Sequence, residues 1–370
     1  MVQGYGVSEV IYQLSLQLQR LGQSVTILAE EFDQTFKHVD VLRIKSKSDE
    51  RLYQIQALDP DIVCAHTSPY FEVLTEYRHF AKTLIYEHGD PTPELFEFDG
   101  RERSQIIENK KRAYREADGV IAISEFIKHE IDCPDALVIY NGCNHVPDLG
   151  KKDFTRYYPS DKLRVGMLSR FGEGENYYKN TKIAVELAKI DGVEVHVAGR
   201  GSEKDSEFFR DQGIRITRNL SDSEKITFLR SVDVLVSPSL WEGFNLPIVE
   251  AQALGTMAIA FDTGAHPETT PFIVDNIAGL DSLLQSLRVD RELLGKFSSK
   301  SYDFVHKKFS WDYAGLEFFR FINTLTTNSE SPHTSYPQPF KPSVPRRLIN
   351  LVTSKGYAGT VCYLLKKLRN

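Results

Sequence analysis

The chain has 370 residues, 41% of them hydrophobic and 26% charged, with a formal net charge of −6; this balance excludes a disordered, collagen-like or multi-pass membrane protein and suits about two globular domains. Residues 331–370 hold seven Lys or Arg and no Asp or Glu, so the body is more acidic than the total, which argues against a nucleic acid partner and leaves an anionic surface as a partner for the basic end. The four cysteines form no CxxC pair, no charged-then-apolar leader opens the chain, and no apolar run approaches the roughly 18 residues of a membrane span, so a reducing, cytoplasmic setting is expected.

In chain order, Gly4 and Gly6 precede the amphipathic stretch VSEVIYQLSLQLQRLG, and SVTILAE follows as a strand candidate. ALDPDIVCAHTS, TLIYEHGD, ADGVIAIS and LVIYNG come next, each an apolar run closing in polar or small residues. After Lys151 the alternation restarts with LRVGMLSR, TKIAVELAKI, VEVHVAG, SEKITFLRSV, DVLVSPS, PIVEAQALG and TMAIAFD. Alternation of buried-strand runs with amphipathic stretches predicts an α/β protein with parallel sheets covered on both faces. The expected division is a first domain over 1–155, a second over 156–308, an aromatic-rich helix over 309–326 and a Ser/Pro-rich linker over 327–345. Residues 346–370 are expected to form a basic amphipathic tail, with Tyr357, Val361, Leu364, Leu365 and Leu368 at helical spacing.

Ligands of open α/β sheets collect beyond the carboxyl ends of strands. After LRVGML come Ser169 and Arg170, and nine residues beyond Arg170 stands Lys179; after DVLVSPS comes SLWEGFNLPIVEAQALGT, with Glu242 and Glu250 around Gly-Phe-Asn-Leu-Pro. Pro247 suits the first turn of a helix and Gly255 the residue past its end, with Asn245 or Leu246 as cap and Glu250 in the first turn. Amides near the helix start lack helical acceptors and offer an anion site. Carboxylates accept hydrogen bonds from sugar hydroxyls, and Arg170 and Lys179 supply the charge a pyrophosphate leaving group needs. Together these parts point to a nucleotide-diphosphate sugar. Asp59-Pro-Asp61 imitates a metal-binding DxD but precedes a strand and reads as a turn, and His66 reads as a strand-end residue. Trp241 and Trp311 read as packing, and Gly199 and Gly201 as a tight turn.

The residues Glu242 to Glu250 within PSLWEGFNLPIVEAQALG, with Arg170, Lys179, VAGRG and TGAHPE, resemble the retaining, GT-B-fold glycosyltransferases of family 4, the glycogen-synthase-like and mannosyltransferase-like group. GYGVSEVIYQLSLQLQRLG, YEHGD, ADGVIAIS and FSWDYAGLEFF extend the resemblance over roughly residues 4–325. It implies two Rossmann-like domains facing across a cleft, with Arg170 and Lys179 on the pyrophosphate, Glu242 on the donor sugar and Glu250 on the ribose. Amides of Gly243, Phe244, Asn245 and Leu246 would line the donor, His88 would stand near the anomeric carbon, and Gly4 and Gly6 would face the donor phosphate. The implied donor is a UDP- or GDP-sugar, with no cofactor and no metal. The implied acceptor is a glycan or lipid-linked molecule of cell-surface polysaccharide assembly, attacked on the front face with the leaving phosphate as base. Two departures stand out. Asn245 replaces a usual Gly, and the chain begins almost at the glycine loop, so the usual first strand is expected to be missing. The competing readings are a sugar-nucleotide epimerase of related fold and a non-catalytic carbohydrate- or partner-binding relic. The basic end, 346–370, has two readings, peripheral attachment to the anionic inner face of a membrane or a solvated helix that packs its apolar side on the body.

Overall fold

In the computed structural model, residues 6–32, 38–95, 100–154, 162–172, 174–327 and 347–352 are described. The strands are β1 (Ser24–Ala29), β2 (Asp40–Arg43), β3 (Ile62–Ala65), β4 (Lys82–Glu87), β5 (Gly119–Ala122), β6 (Leu137–Val138), β7 (Leu163–Arg170), β8 (Val193–Arg200), β9 (Arg215–Arg218), β10 (Val234–Ser237), β11 (Met257–Phe261), β12 (Ile273–Val274) and β13 (Arg347–Val352). They form two parallel sheets, ordered β2-β1-β13-β3-β4-β5-β6 and β12-β11-β10-β7-β8-β9. Every residue of β3 and β10 is buried, as expected where helices cover both faces of a parallel sheet.

The second sheet follows the doubly wound order, with its first strand β7 at the centre and the direction of winding reversing between β7 and β10. The first sheet has the same order once β13 is taken as its opening strand. This corrects the expectation of a missing first strand: residues 347–352 pair in parallel with β1, where Leu348 meets Val25, and with β3, where Leu348 meets Ile62. For residues 347–352 it also corrects the expectation of an amphipathic tail over 346–370, because those six are the centre of a sheet, whereas the residues at helical spacing, 357–368, lie outside the described ones. The reason is local: Leu348, Ile349 and Leu351 are almost fully buried, and a mostly apolar run, Leu348, Ile349, Leu351 and Val352 around the single polar Asn350, suits a parallel core strand. Asp59 and Asp61 hold its entry, Arg347 pairing with the Asp59 carboxylate at 3.1 Å and the Arg347 N–H donating to Asp61 Oδ2 at 2.8 Å. The other residues of the basic end lie outside the described ones, as does most of the Ser/Pro-rich linker.

The boundary near 155 also shifts. Phe154 packs in the second core with Leu163 and Leu294, Lys152 donates to the Val232 carbonyl and Arg230 to that of Gly150, so the chain has joined the second unit before residue 155. The helix Trp311–Thr327 returns to the first unit and packs on the helix Gly6–Arg20. An aromatic seam links the halves: Phe244 lies 5.3 Å from Phe309, and Tyr140 5.8 Å from Phe309, ring centre to ring centre. Among the described residues no helix is long and apolar enough to cross a membrane.

Candidate functional site

A cleft of about 430 Å³ opens between the two sheets, at the carboxyl ends of β4, β7 and β10. It is lined by His88, Arg170, Lys179, Glu242 and Glu250, with Gly6 on its first-domain side. The folding of the segment after β10 creates its floor. Asn245 caps the helix Leu246–Ala253 in the left-handed backbone region, φ 71°, with Pro247 in the first turn. Its side chain does not cap the helix. Instead Nδ2 donates to Ser237 Oγ at 2.8 Å and to His266 Nε2 at 2.9 Å, while His266 Nδ1 donates to the Phe261 carbonyl. Asparagine tolerates the left-handed backbone, and here its amide also fastens the turn to the neighbouring strands. Gly243 has a separate reason: a Cβ there would stand 2.5 Å from the His88 carbonyl oxygen across the cleft. Phe244 is core, so only its backbone faces the cleft. The amides of Gly243, Phe244 and Asn245 make no hydrogen bond among the described residues, which leaves them as donors for an anion.

Glu242 is buried and ion-paired. Lys179 Nζ donates to both its oxygens, at 2.8 and 2.9 Å, and Ser239 Oγ donates to Oε1 at 2.8 Å. Burial alone would raise its pKa, but the Lys179 charge, with the hydrogen bonds from Lys179 and Ser239, outweighs that and holds the carboxyl below its usual range. A carboxylate has about four acceptor positions, so this one keeps room for a further hydroxyl. Lys179 ends the short 3₁₀ turn Gly174–Lys179, and Arg170, at the end of β7, donates to Tyr178 Oη at 2.7 Å within that same turn.

Glu250 lies one turn deeper. It is the fifth residue of its helix, which corrects its expected place in the first turn. Two partners that the sequence did not disclose hold its Oε1: Lys225 Nζ and His145 Nε2, each at 2.8 Å. Trp311 Nε1 donates to His145 Nδ1 at 3.0 Å, so the proton of that ring sits on Nε2. Burial opposes ionisation of Glu250, yet Lys225 and His145 bring its pKa down to about 2. Its Oε2 has no partner among the described residues and is open to two hydroxyl donors. Lys225 stands on the helix Asp222–Ser231 and His145 in the turn after β6; no motif marks either, and only the fold brings them to Glu250.

On the first-domain side His88 follows β4 and is half-buried. Its Nε2 lies 3.1 Å from His66 Nδ1, so His66 is part of the cleft floor as well as a strand end. Burial and Lys110 push the pKa of His88 down to about 3, keeping it neutral. Gly6 opens the helix Gly6–Arg20, its nearest neighbour across the cleft being Leu246, 3.8 Å from where a Cβ would stand. Gly4 lies outside the described residues. Trp241 and Trp311 are both packed, Trp241 Nε1 donating to Glu130 at 2.7 Å.

Two facing parallel-sheet domains with the cleft at their strand ends are the GT-B fold. Solved structures agree: HepE of Anabaena, in complex with UDP-glucose, matches with a TM-score of 0.69 at 17% identity over 87% of this chain and 97% of that one. Sucrose-phosphate synthase of Thermosynechococcus elongatus matches with a TM-score of 0.70 at 17% identity over 88% and 94%. Family models described as "Glycosyltransferase Family 4" and "Glycosyl transferases group 1" match residues 5–145 and 164–287, and the chain belongs to this family of glycosyltransferases. Among curated relatives, a phosphatidyl-myo-inositol mannosyltransferase of Mycolicibacterium smegmatis is 26% identical over 227 residues, 56% of this chain and 58% of the relative. The lipopolysaccharide core biosynthesis mannosyltransferase LpsB of Rhizobium meliloti is 27% identical over 171 residues, 42% and 48%. The chain thus matches about half to six-tenths of the length of these two relatives.

Proposed function

We propose that the protein transfers a sugar from a nucleotide-diphosphate sugar to a glycan or lipid-linked acceptor, with retention at the anomeric carbon. The observation that carries this is the pairing of two differently held carboxylates with an amide-lined helix start in one cleft. Glu250, with Oε2 open, takes the vicinal hydroxyls of a ribose. Glu242 keeps one acceptor position for the donor sugar, and the amides of residues 243–245 with Arg170 and Lys179 meet the pyrophosphate. Both carboxylates are committed to cations, which suits them to binding hydroxyls better than to attacking carbon, so the leaving phosphate serves as base on the front face. The cationic side chains supply the charge stabilisation of the leaving group, and no divalent metal or other cofactor is assigned to the reaction. UDP or GDP at about 1 mM raises the melting temperature under this reading, and the product carries the anomeric configuration of the donor by NMR. No shift with either nucleotide argues for the non-catalytic alternative, inversion removes the retaining mechanism, and loss of turnover in EDTA removes the metal-free one. Conversion of the donor without acceptor points to an epimerase.

The basic residues after 352, Lys355, Lys366, Lys367 and Arg369, we assign to attachment at the anionic inner face of a membrane, which suits a lipid-linked acceptor and a cytoplasmic enzyme. The control for liposome binding is a chain ending at 352, which keeps β13. Equal binding by that chain and the full one contradicts the assignment.

A further inference from the structure

Asn350 is a buried polar residue at the centre of β13, opposite Ile27 of β1 and Cys64 of β3. Its two amide atoms have different partners, and the chemistry of each partner fixes a direction. Ser15 Oγ gives its single proton to the Ile11 carbonyl at 2.7 Å, so it can only accept from Asn350 Nδ2, at 3.3 Å. That orients the amide with Oδ1 toward His66 Nε2, 3.0 Å away. An amide oxygen only accepts, so the proton of His66 sits on Nε2. Its bare Nδ1 then accepts from His88 Nε2 at 3.1 Å.

We infer that Asn350, supplied by the C-terminal strand, is a positioning residue for the cleft: it sets the tautomer of His66 and, through it, presents His88 with Nε2–H committed and Nδ1 as an acceptor. A substrate hydroxyl meeting His88 therefore donates to it. The inference follows from the hydrogen-bond directions that Ser15 and the amide oxygen of Asn350 set for a neutral pair, with Cys64 Sγ, 3.7 Å from His66 Nε2, facing the same N–H as a weak acceptor. Neutrality is supported by burial, which lowers the pKa of both rings, with the neighbouring ring adding to the effect at His66 and Lys110 at His88. Tyr86, stacked 5.2 Å from His66 and 5.4 Å from His88, holds both planes. The placement is possible because β13 runs parallel to β3 and β4, whose carboxyl ends carry His66 and His88. A strand from the far end of the sequence thus takes part in the geometry of a site nearly three hundred residues before it.

The test uses the full chain labelled with ¹⁵N-histidine. At neutral pH the ring-nitrogen spectrum, assigned through His66→Gln and His88→Gln, shows both residues as Nε2–H tautomers; an Nδ1–H signal from either ring overturns the inference. Asn350→Leu removes the acceptor, so His66 shifts to a tautomer mixture, and turnover falls about tenfold or more with donor KM unchanged. Asn350→Asp keeps an acceptor at Oδ1, preserves the Nε2–H pattern and restores turnover relative to Asn350→Leu. Unchanged tautomers in Asn350→Leu contradict the inference, and if that variant does not fold, the wild-type and Asn350→Asp spectra decide alone. The turnover arm rests on the glycosyltransferase reading, whereas the spectra do not, so failure of one is separable from failure of the other.

Discussion

Glu250 shows what a buried carboxylate requires. With Lys225 and His145 on one oxygen, its pKa falls from 4.5 to about 2. A carboxyl whose pKa is lower when folded contributes stability that is complete above its unfolded value and is lost as pH falls from about 4.5 toward 2. The contribution is on the order of 3 kcal/mol. Glu250→Gln is therefore less stable than the parent at neutral pH, and the gap between their melting curves closes as pH approaches 2; a gap independent of pH contradicts this ion pairing. Asn245 carries a second expectation. Asn245→Ala loses both the tolerance for φ 71° and the bonds to Ser237 and His266, at a cost of roughly 2–3 kcal/mol. Asn245→Gly keeps the backbone and loses only the bonds, so it falls between Ala and the parent in urea denaturation. Equal midpoints for Ala and Gly remove the backbone argument. At this scale the sequence disclosed the carboxylates and the cationic pair Arg170 and Lys179. It did not disclose Lys225 and His145, since an amphipathic helix and a short turn carry no signal for a contact made only by tertiary packing.

Among elements, the turn after β11 joins the two domains. Glu268, in the helix His266–Thr269, accepts from the N–H groups of Glu125 and Phe126 at the start of the helix Glu125–Glu130, at 2.9 and 2.8 Å, and from Tyr140 Oη at 2.8 Å. An ionised carboxylate on the first amides of a helix is favourable by charge and by hydrogen bonding. Glu268→Ala leaves those donors unpaired and lowers stability by about 2 kcal/mol, with Glu268→Gln intermediate; a urea midpoint equal to that of the parent for the alanine variant contradicts the clasp. The long central strands, β1, β4, β7, β8 and β11, were legible as apolar runs because burial on both faces leaves little room for polar residues. The short edge strands β2, β9 and β12 were not. Strand β13 was missed for another reason: Leu348 to Val352 carries a strand signal, but it stands among basic residues, beyond a Ser/Pro-rich segment, where helical spacing downstream dominated the reading.

For the whole molecule, β13 changes the meaning of the C-terminal residues. Removing them opens a slot between β1 and β3 and exposes the paired backbone groups of both. A chain ending at 346 loses the cooperative unfolding of its first domain, whereas a chain ending at 352 melts as the full chain does; indistinguishable melts for all three contradict the placement of the strand. The two domains then work as one cleft, the second supplying Arg170, Lys179, Glu242 and Glu250, and the first the histidine pair that β13 holds. The central claim is that this cleft moves a sugar from a nucleotide donor. Its most direct test is turnover, measured as released UDP or GDP with the donor and acceptor that screening identifies, in the parent and in Glu242→Ala and Arg170→Ala. Loss of one aligned charged group lowers the rate by about a hundredfold or more in each variant, and turnover unchanged in both contradicts the site.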